Sequence, residues 1–401
     1  MVDAPARSAF GLIRGDAAFR ALWTSRAVSF IGTSLSLVAL ILYVADRVGT
    51  GLAVALLLLV GELVPTLLSP IAGALADRLP PRRLMVACEL GQAGVVAAVA
   101  LLLPPLPVLL LLIAVKTLFA VLFEPAGRAV VPRLVPDNEL EPANAALGMG
   151  THGLEVAGPL LAAALLPVLG IRGVLWVDVA SFALSALLLA RLPRLSSVEQ
   201  PDEPGGLWTE ARAGLRYLAG HRVVRTLAVG FWLVVLCTGL DDVVLVFLAK
   251  DSLHAGDSAV SLMYAGVGLG LLAGFFALSR ARPVAATRLA IAGLVLSSAG
   301  NMLTGLAWAV AVAVATQAVR GVGLALIDTG LPAVIARSVP AHLRGRVFAA
   351  TYGGVSLAAM ASSLAGGLVL AVVSPRIALV VAGGLAVITA ATTGTIMRRT
   401  G

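Results

Sequence analysis

The segment "TGLDDVVLVF", residues 238–247, places two adjacent carboxylates, Asp241 and Asp242, inside a run of valines and leucines. A carboxylate in apolar surroundings can load and release a proton. An unpaired charge in a bilayer costs on the order of 2.5–3.5 kcal/mol on insertion scales, so each one needs a partner, water or a purpose. The other ionisable residues within long apolar runs are Arg26, Glu62, Glu89, Lys116, His152, Glu155, Asp178 and Arg320. Lys116 and Arg320 stand near the middle of their runs, where they can neutralise carboxylates or hold an anionic group. The alternative is an internal ion pair with Glu62, Asp178 or an aspartate of 238–247 that serves packing alone. His152 and Glu155 are three apart, hence on one helical face, where they can pass a proton or form a structural polar patch. Glu89 and Arg26 lie near the inner ends of their runs, where capping or snorkelling suffices.

Successive helical residues point about 100° apart, so Asp241 and Asp242 cannot share one surface. One can face a cavity while the other meets a neighbouring helix, and Thr238 is within reach of either. The competing reading is a helix end already among the outer headgroups, with both carboxylates solvated.

The elements that would hold these groups are transmembrane helices. The chain has 401 residues, 59% hydrophobic and 12% charged, with a mean hydropathy of +1.00. A water-soluble fold could not cover so much apolar surface with so few charges. Apolar stretches of about 20 residues point to an all-α polytopic membrane protein. Twelve spans are expected, at 18–45, 51–76, 83–104, 106–127, 142–168, 171–191, 223–249, 257–279, 284–304, 307–331, 345–373 and 376–397. The net charge of +8 comes with 27 arginines and two lysines that recur at span ends, which is a topology signal and not a nucleic-acid surface. Cys88 and Cys237 both fall inside spans and read as small apolar packing residues. Four scattered histidines offer no metal site, and no cofactor motif or nucleophile–base pair emerges. No phosphate-binding G-x-x-x-x-G-K-[ST] occurs, so ATP is not the expected energy source. No cleavable secretory signal is evident.

The chain divides into a six-helix bundle at 1–191, a linker with an amphipathic helix at 192–222, and a second bundle at 223–401. With the N-terminus inside, 22 of the 29 Lys and Arg fall in cytoplasmic segments and four in external loops, which puts both termini in the cytoplasm. The halves are related: residues 123–146 over 327–350, a shift of 204, align seven identities, set Glu124 over Asp328, and bring Lys116 over Arg320. A six-helix unit repeated in parallel is a transporter architecture.

Between spans two and three stands "GALADRLPPRR", residues 73–83. It resembles the loop signature G-x-x-x-D-R-x-G-R-R of the major facilitator superfamily, with Gly73, Asp77, Arg78, Arg82 and Arg83 matching and Pro80 and Pro81 departing. "LFEPAGRAVVPRLVPDNELEPANA", "VDVASFALSALLL" and "EARAGLRYLAGHRVVRTL" are similar to the branch containing the enterobactin and macrolide exporters. The resemblance implies a gating latch in which the loop arginines meet an acid at the inner end of span four, here Glu124. A mirror latch would join Asp328 to Arg280 or Arg282. It also implies that spans one, four, seven and ten line a central cavity. Gly158 and Pro159, followed by Ala162 and Ala163, match the ending of an exporter pattern in span five.

These features lead to the expectation of a monomeric secondary transporter in the cytoplasmic membrane. It would export a small amphipathic drug, siderophore or secondary metabolite by proton antiport with alternating access. The rivals are a proton-coupled importer of a sugar or organic acid, and a non-transporting membrane scaffold or sensor.

Overall fold

The computed structural model describes residues 9–136, 139–140, 143, 146–147, 157–193, 207–280 and 284–398. Its helices are α1 (Ala9–Gly15), α2 (Ala17–Val48), α3 (Gly51–Arg78), α4 (Pro81–Leu102), α5 (Leu106–Leu134) and α6 (Ala157–Leu189). They continue with α7 (Leu207–Gly220), α8 (Arg222–Thr238), α9 (Asp241–Phe247), a π-helical turn (Leu248–Ser252) and α10 (Asp257–Arg280). The last four are α11 (Ala286–Gly305), α12 (Val310–Ser338), α13 (Ala341–Val369) and α14 (Pro375–Arg398). No strand occurs among the described residues.

Lipid offers no hydrogen bonds, so every spanning segment must satisfy its own backbone, and the helix does so locally. Among the described residues ten helices are long and apolar enough to cross a bilayer, and Gly51–Pro65 is a shorter apolar stretch within α3. α6 bends at Gly170 (φ 64°, ψ 179°), where the expected fifth and sixth spans meet. The count of twelve remains a sequence expectation. Leu111, Leu187, Phe276, Leu357 and Ile388 are exposed, as suits helices solvated by acyl chains. Prolines set several starts: Pro81 and Pro375 open α4 and α14, where a missing amide hydrogen costs no intrahelical bond. The α4–α5 turn is closed by Leu103 in the left-handed region, and the Tyr43 hydroxyl donates to the carbonyls of Leu103 (2.5 Å) and Pro104 (3.0 Å).

By compactness the chain forms two units, Met1–Tyr43 with Leu63–Asp202, and Val44–Glu62 with Glu203–Gly401. In the first, α4 packs on α5 and α6, around a core that includes Phe19, Leu22, Met85, Cys88 and Val130. In the second, Lys250 bonds Asp46 and lies 3.1 Å from Asp257, so a residue from the end of α2 joins that unit. The second unit's core centres on Leu227, Phe231, Leu294, Ile327 and Ala386. The amphipathic α7 is fastened to it by the Tyr217 hydroxyl, which donates to the Ser338 carbonyl at 2.9 Å.

Glycines let α12 approach both α10 and α11. A side chain at Gly270 would meet the Ala318 backbone, one at Gly321 the Val267 carbonyl, and one at Gly300 the Arg320 backbone nitrogen at 2.6 Å. Close approach through small residues is how membrane helices gain packing energy without a hydrophobic drive between them. Gly321→Val is expected to force α10 and α12 apart and to cost about 1–3 kcal/mol. Thermal unfolding of the purified variant in detergent checks this, and an unchanged midpoint would mean that the contact is soft.

Candidate functional site

The stretch that carries Asp241 and Asp242 is not one continuous helix. α8 ends at Thr238, α9 begins at Asp241, and Gly239 and Leu240 lie between. The backbone groups freed there find side-chain partners. The Thr238 carbonyl accepts from Asn301 Nδ2 at 3.4 Å and the Gly239 carbonyl from Ser363 Oγ at 3.2 Å. The Asp242 amide donates to Asp241 Oδ1 at 3.0 Å. A break at membrane depth is tolerated only where neighbours supply such bonds.

Asp241 is 1% exposed and its Oδ2 lies 2.5 Å from an Arg320 terminal nitrogen on α12. Asn301 Nδ2 reaches the same oxygen at 3.4 Å. Gln317 donates to Asn301 Oδ1 (3.4 Å) and Thr304 Oγ1 (3.3 Å), and accepts from Arg320 (3.5 Å). The result is a buried carboxylate–guanidinium pair set in amides and hydroxyls from α11 and α12. Asp242 is half-buried, and its backbone carbonyl accepts from the Tyr264 hydroxyl at 2.7 Å. The two aspartates therefore differ in exposure, Asp241 being the buried one. The Thr238 hydroxyl serves neither, since it donates to the Val234 carbonyl.

Lys116 lies in a second cluster, within the first unit. Its ammonium is 5.6 Å from the Phe182 ring centre and interacts with the charges of Asp178 and Glu89. Asp178 is fully buried, and Ser181 Oγ donates to its Oδ1 at 3.2 Å. Glu89, expected to be a capped residue near a helix end, is 1% exposed and accepts from Ser29 at 3.2 Å. Lys116 and Arg320, equivalent under the 204-residue shift, thus both face carboxylates. Their counterions come from non-equivalent helices: α4 and α6 for Lys116, α9 for Arg320.

The remaining expected residues are dispersed. Glu62 is exposed on α3. His152 and Glu155 lie outside the described residues, as do the side chains of Gly73, Asp77 and Arg78. Of the loop arginines, Arg82 donates to the Ala190 carbonyl and Arg83 is exposed. Glu124 is paired with Arg26 of α2 at 2.6 Å, a partner the loop signature does not indicate. Asp328 is exposed on α12, and Arg280 stacks on Phe276 at 3.6 Å. Gly158 and Pro159 are buried, with Ser34 of α2 filling the space beside Gly158. Cys88 and Cys237 are both free thiols. No group of three or more metal-ligating side chains occurs among the described residues. Asn301 and Gln317 are the site residues that sequence reasoning passes over, with a polar residue amid apolar ones as their available signal, while Glu89 is one it reads only as a capped residue.

Sequence and fold comparisons bear on the family and on the fold respectively. The model of the Major Facilitator Superfamily matches residues 22–280. The chain is 25% identical over 390 residues to the MFS-type transporter YfiS of Bacillus subtilis, covering 93% of this chain and 92% of that one. It is 25% identical over 211 residues to macrolide efflux protein A of Streptococcus pyogenes, covering 51% and 52% respectively, so that match spans about half of each protein. In fold it is similar to a POT family transporter solved in complex with 5-aminolevulinic acid, with a TM-score of 0.73, 12% identity, and 96% of each chain covered.

Proposed function

The chain belongs to the Major Facilitator Superfamily, and on that premise we propose that it exports a small amphipathic molecule in exchange for protons. It is a multi-pass membrane transporter of a family that moves small molecules and is not enzymatic. The finer reading is a cytoplasmic-membrane exporter of a drug, siderophore or secondary metabolite, with both termini inside. It is supported by the similarity to a macrolide efflux protein and by the Gly158-Pro159 ending of the fifth span. Alternating access would be biased by the inner latch residues Gly73, Asp77, Arg78, Arg82, Arg83 and Glu124, with Asp328 in the second half.

The observation that carries the coupling is the Asp241–Arg320 pair beside a helix break. A guanidinium does not give up its proton in proteins, whereas a carboxylate can take one. A proton arriving at Asp241 cancels the attraction and releases Arg320; its departure restores the pair. Two arrangements that differ in proton occupancy are what coupling to a gradient requires. Asp242, the more exposed of the two, is not the coupling site on this reading.

The test is efflux of a compound panel from energised membranes with and without a proton gradient, for wild type, Asp241→Asn and Asp242→Asn. Asp241→Asn is expected to lose the gradient dependence and Asp242→Asn to keep it. Unchanged coupling in both variants would remove Asp241 from the mechanism. Accumulation of a compound in place of its loss would reverse the direction, and no flux of any compound would favour a scaffold or sensor.

A further inference from the structure

Inside the first unit two buried carboxylates, Glu89 and Asp178, lie in the field of one ammonium, Lys116, which sits 5.6 Å from the Phe182 ring centre and is in direct ion-pair contact with neither, and the formal charges do not cancel. Both carboxylates are at the floor of exposure, 1% for Glu89 and 0% for Asp178. A net charge held in a buried site costs several kcal/mol unless it is neutralised. The nearby cations are engaged elsewhere: Arg26 pairs with Glu124 at 2.6 Å and Arg82 bonds a carbonyl. We propose that this cluster is a proton-binding site separate from the Asp241–Arg320 pair, with Glu89 holding one exchangeable proton while Lys116 neutralises Asp178.

The choice of Glu89 follows from what surrounds each carboxylate. Asp178 is served by the Lys116 charge and by the Ser181 hydroxyl. Glu89 is faced mainly by hydroxyls, Ser29 at 3.2 Å and Ser185 beside it. A hydroxyl can accept a hydrogen bond as readily as donate one, so it serves a carboxylic acid as well as a carboxylate. Ser36 Oγ, Ser185 Oγ and Asp178 Oδ2 are buried without completing a hydrogen bond, although Ser36 lies by Asp178 and Ser185 by Glu89. An O–H on Glu89 directed at Ser185 Oγ gives one of these orphaned oxygens its donor. The Cys88 thiol feels the Glu89 charge, and Gln92, three residues after Glu89 on α4, is buried. The step is a simple protonation: an O–H bond forms on the Glu89 carboxylate from an aqueous proton and breaks on release.

The second unit makes the contrast. Asp241 and Arg320 balance one to one, so protonation there must break an existing pair. In the first unit a proton completes the balance. The inference rests on the transporter reading only for what the proton accomplishes, and not for its presence.

Infrared spectra of the purified full-length protein, titrated from acid to alkaline buffer in H2O and D2O, test it without any substrate. Wild type is expected to show the carbonyl stretch of a protonated buried carboxyl, lost on alkaline titration. Glu89→Gln should abolish the band and Asp241→Asn should retain it. Asp178→Asn should also abolish it, because Glu89 then becomes the partner of Lys116, while Lys116→Met should strengthen it. Those last two variants carry the test if Glu89→Gln fails to fold. A wild type without the band, or a band indifferent to Glu89, Asp178 and Lys116, overturns the proposal. A band that behaves as expected, together with gradient-independent efflux, would overturn the coupling reading and leave this site standing.

Discussion

Arg320→Leu is expected to destabilise the folded protein by about 3–5 kcal/mol, because it strands a buried carboxylate without its cation. The magnitude follows from the asymmetry of the pair. Asp241 is 1% exposed, and its remaining neighbour on that oxygen is an amide at 3.4 Å. The Arg320 side chain is 16% exposed and retains Gln317 as a hydrogen-bond partner. The converse variant, Asp241→Asn, leaves a neutral amide of the same shape among Asn301 and Thr238, and its penalty should be smaller. The double variant Asp241→Asn/Arg320→Leu removes both charges and should recover much of the loss. Denaturant unfolding in detergent of the four proteins closes a double-mutant cycle, which isolates the coupling between the two side chains. Equal stability of Arg320→Leu and the double variant would show that Asp241 takes up a proton once its cation is gone, whereas a coupling energy near zero over the whole cycle would show that the two side chains do not stabilise each other in the folded protein. The second outcome would remove the ion pair from the transport mechanism.

The helical fold was legible because lipid leaves the chain few options. Long apolar runs interrupted by arginine-bearing turns dictate spanning helices, and the 204-residue shift by itself sets Lys116 over Arg320. The partners of those cations were less legible. Symmetry predicts equivalent counterions, yet the shift carries Asp178 onto Ala382, Glu89 onto Gly293 and Asp241 back onto Leu37. A repeat preserves the backbone frame, while polar side chains can be placed on any helix that borders the same space. An Asp within span seven was among the partners considered for Arg320, but nothing in the sequence selected Asp241 over Asp242.

The break between α8 and α9 explains part of that ambiguity. A helix of uniform twist spaces adjacent residues by about 100°. Here Asp241 Oδ1 takes up the Asp242 amide in place of the carbonyl at Thr238, which Asn301 captures. One glycine in an apolar run, Gly239, is a faint signal for such an interruption, since glycines also occur in unbroken membrane helices. Glu89 was obscured for a different reason. Its distance from the start of α4 suits a residue near the interface, and only the packing of α2, α5 and α6 around it makes the position a buried one. Sequence periodicity reports the direction a side chain takes from its own helix, not which neighbours close over it.

The first cluster depends on a close approach that a single methyl group should disrupt. Gly32 of α2 faces Asp178 and Ser181 of α6: a β-carbon there would meet Ser181 Oγ, lie 2.5 Å from Asp178 Oδ1, and lie 2.8 Å from Ser181 Cβ. Real β-carbons do not approach other atoms so closely, and Asp178 cannot retreat without leaving the Ser181 hydroxyl that donates to it. Gly32→Ala is therefore expected to cost about 1–3 kcal/mol, the range for overpacking a well-filled interior. The small intrinsic gain from replacing a helical glycine by alanine, about 1 kcal/mol, acts in the opposite direction and makes any net loss the more telling. Removing the nearest obstacle with Ser181→Ala should give only partial relief, since that residue's β-carbon and the Asp178 carboxylate still stand in the way. Thermal unfolding of Gly32→Ala, Ser181→Ala and the pair decides the matter. Full rescue by Ser181→Ala would mean that the serine hydroxyl alone sets the spacing. Partial rescue, with a displaced or weakened carboxyl band in the infrared, would mean that Gly32 is there to admit Asp178.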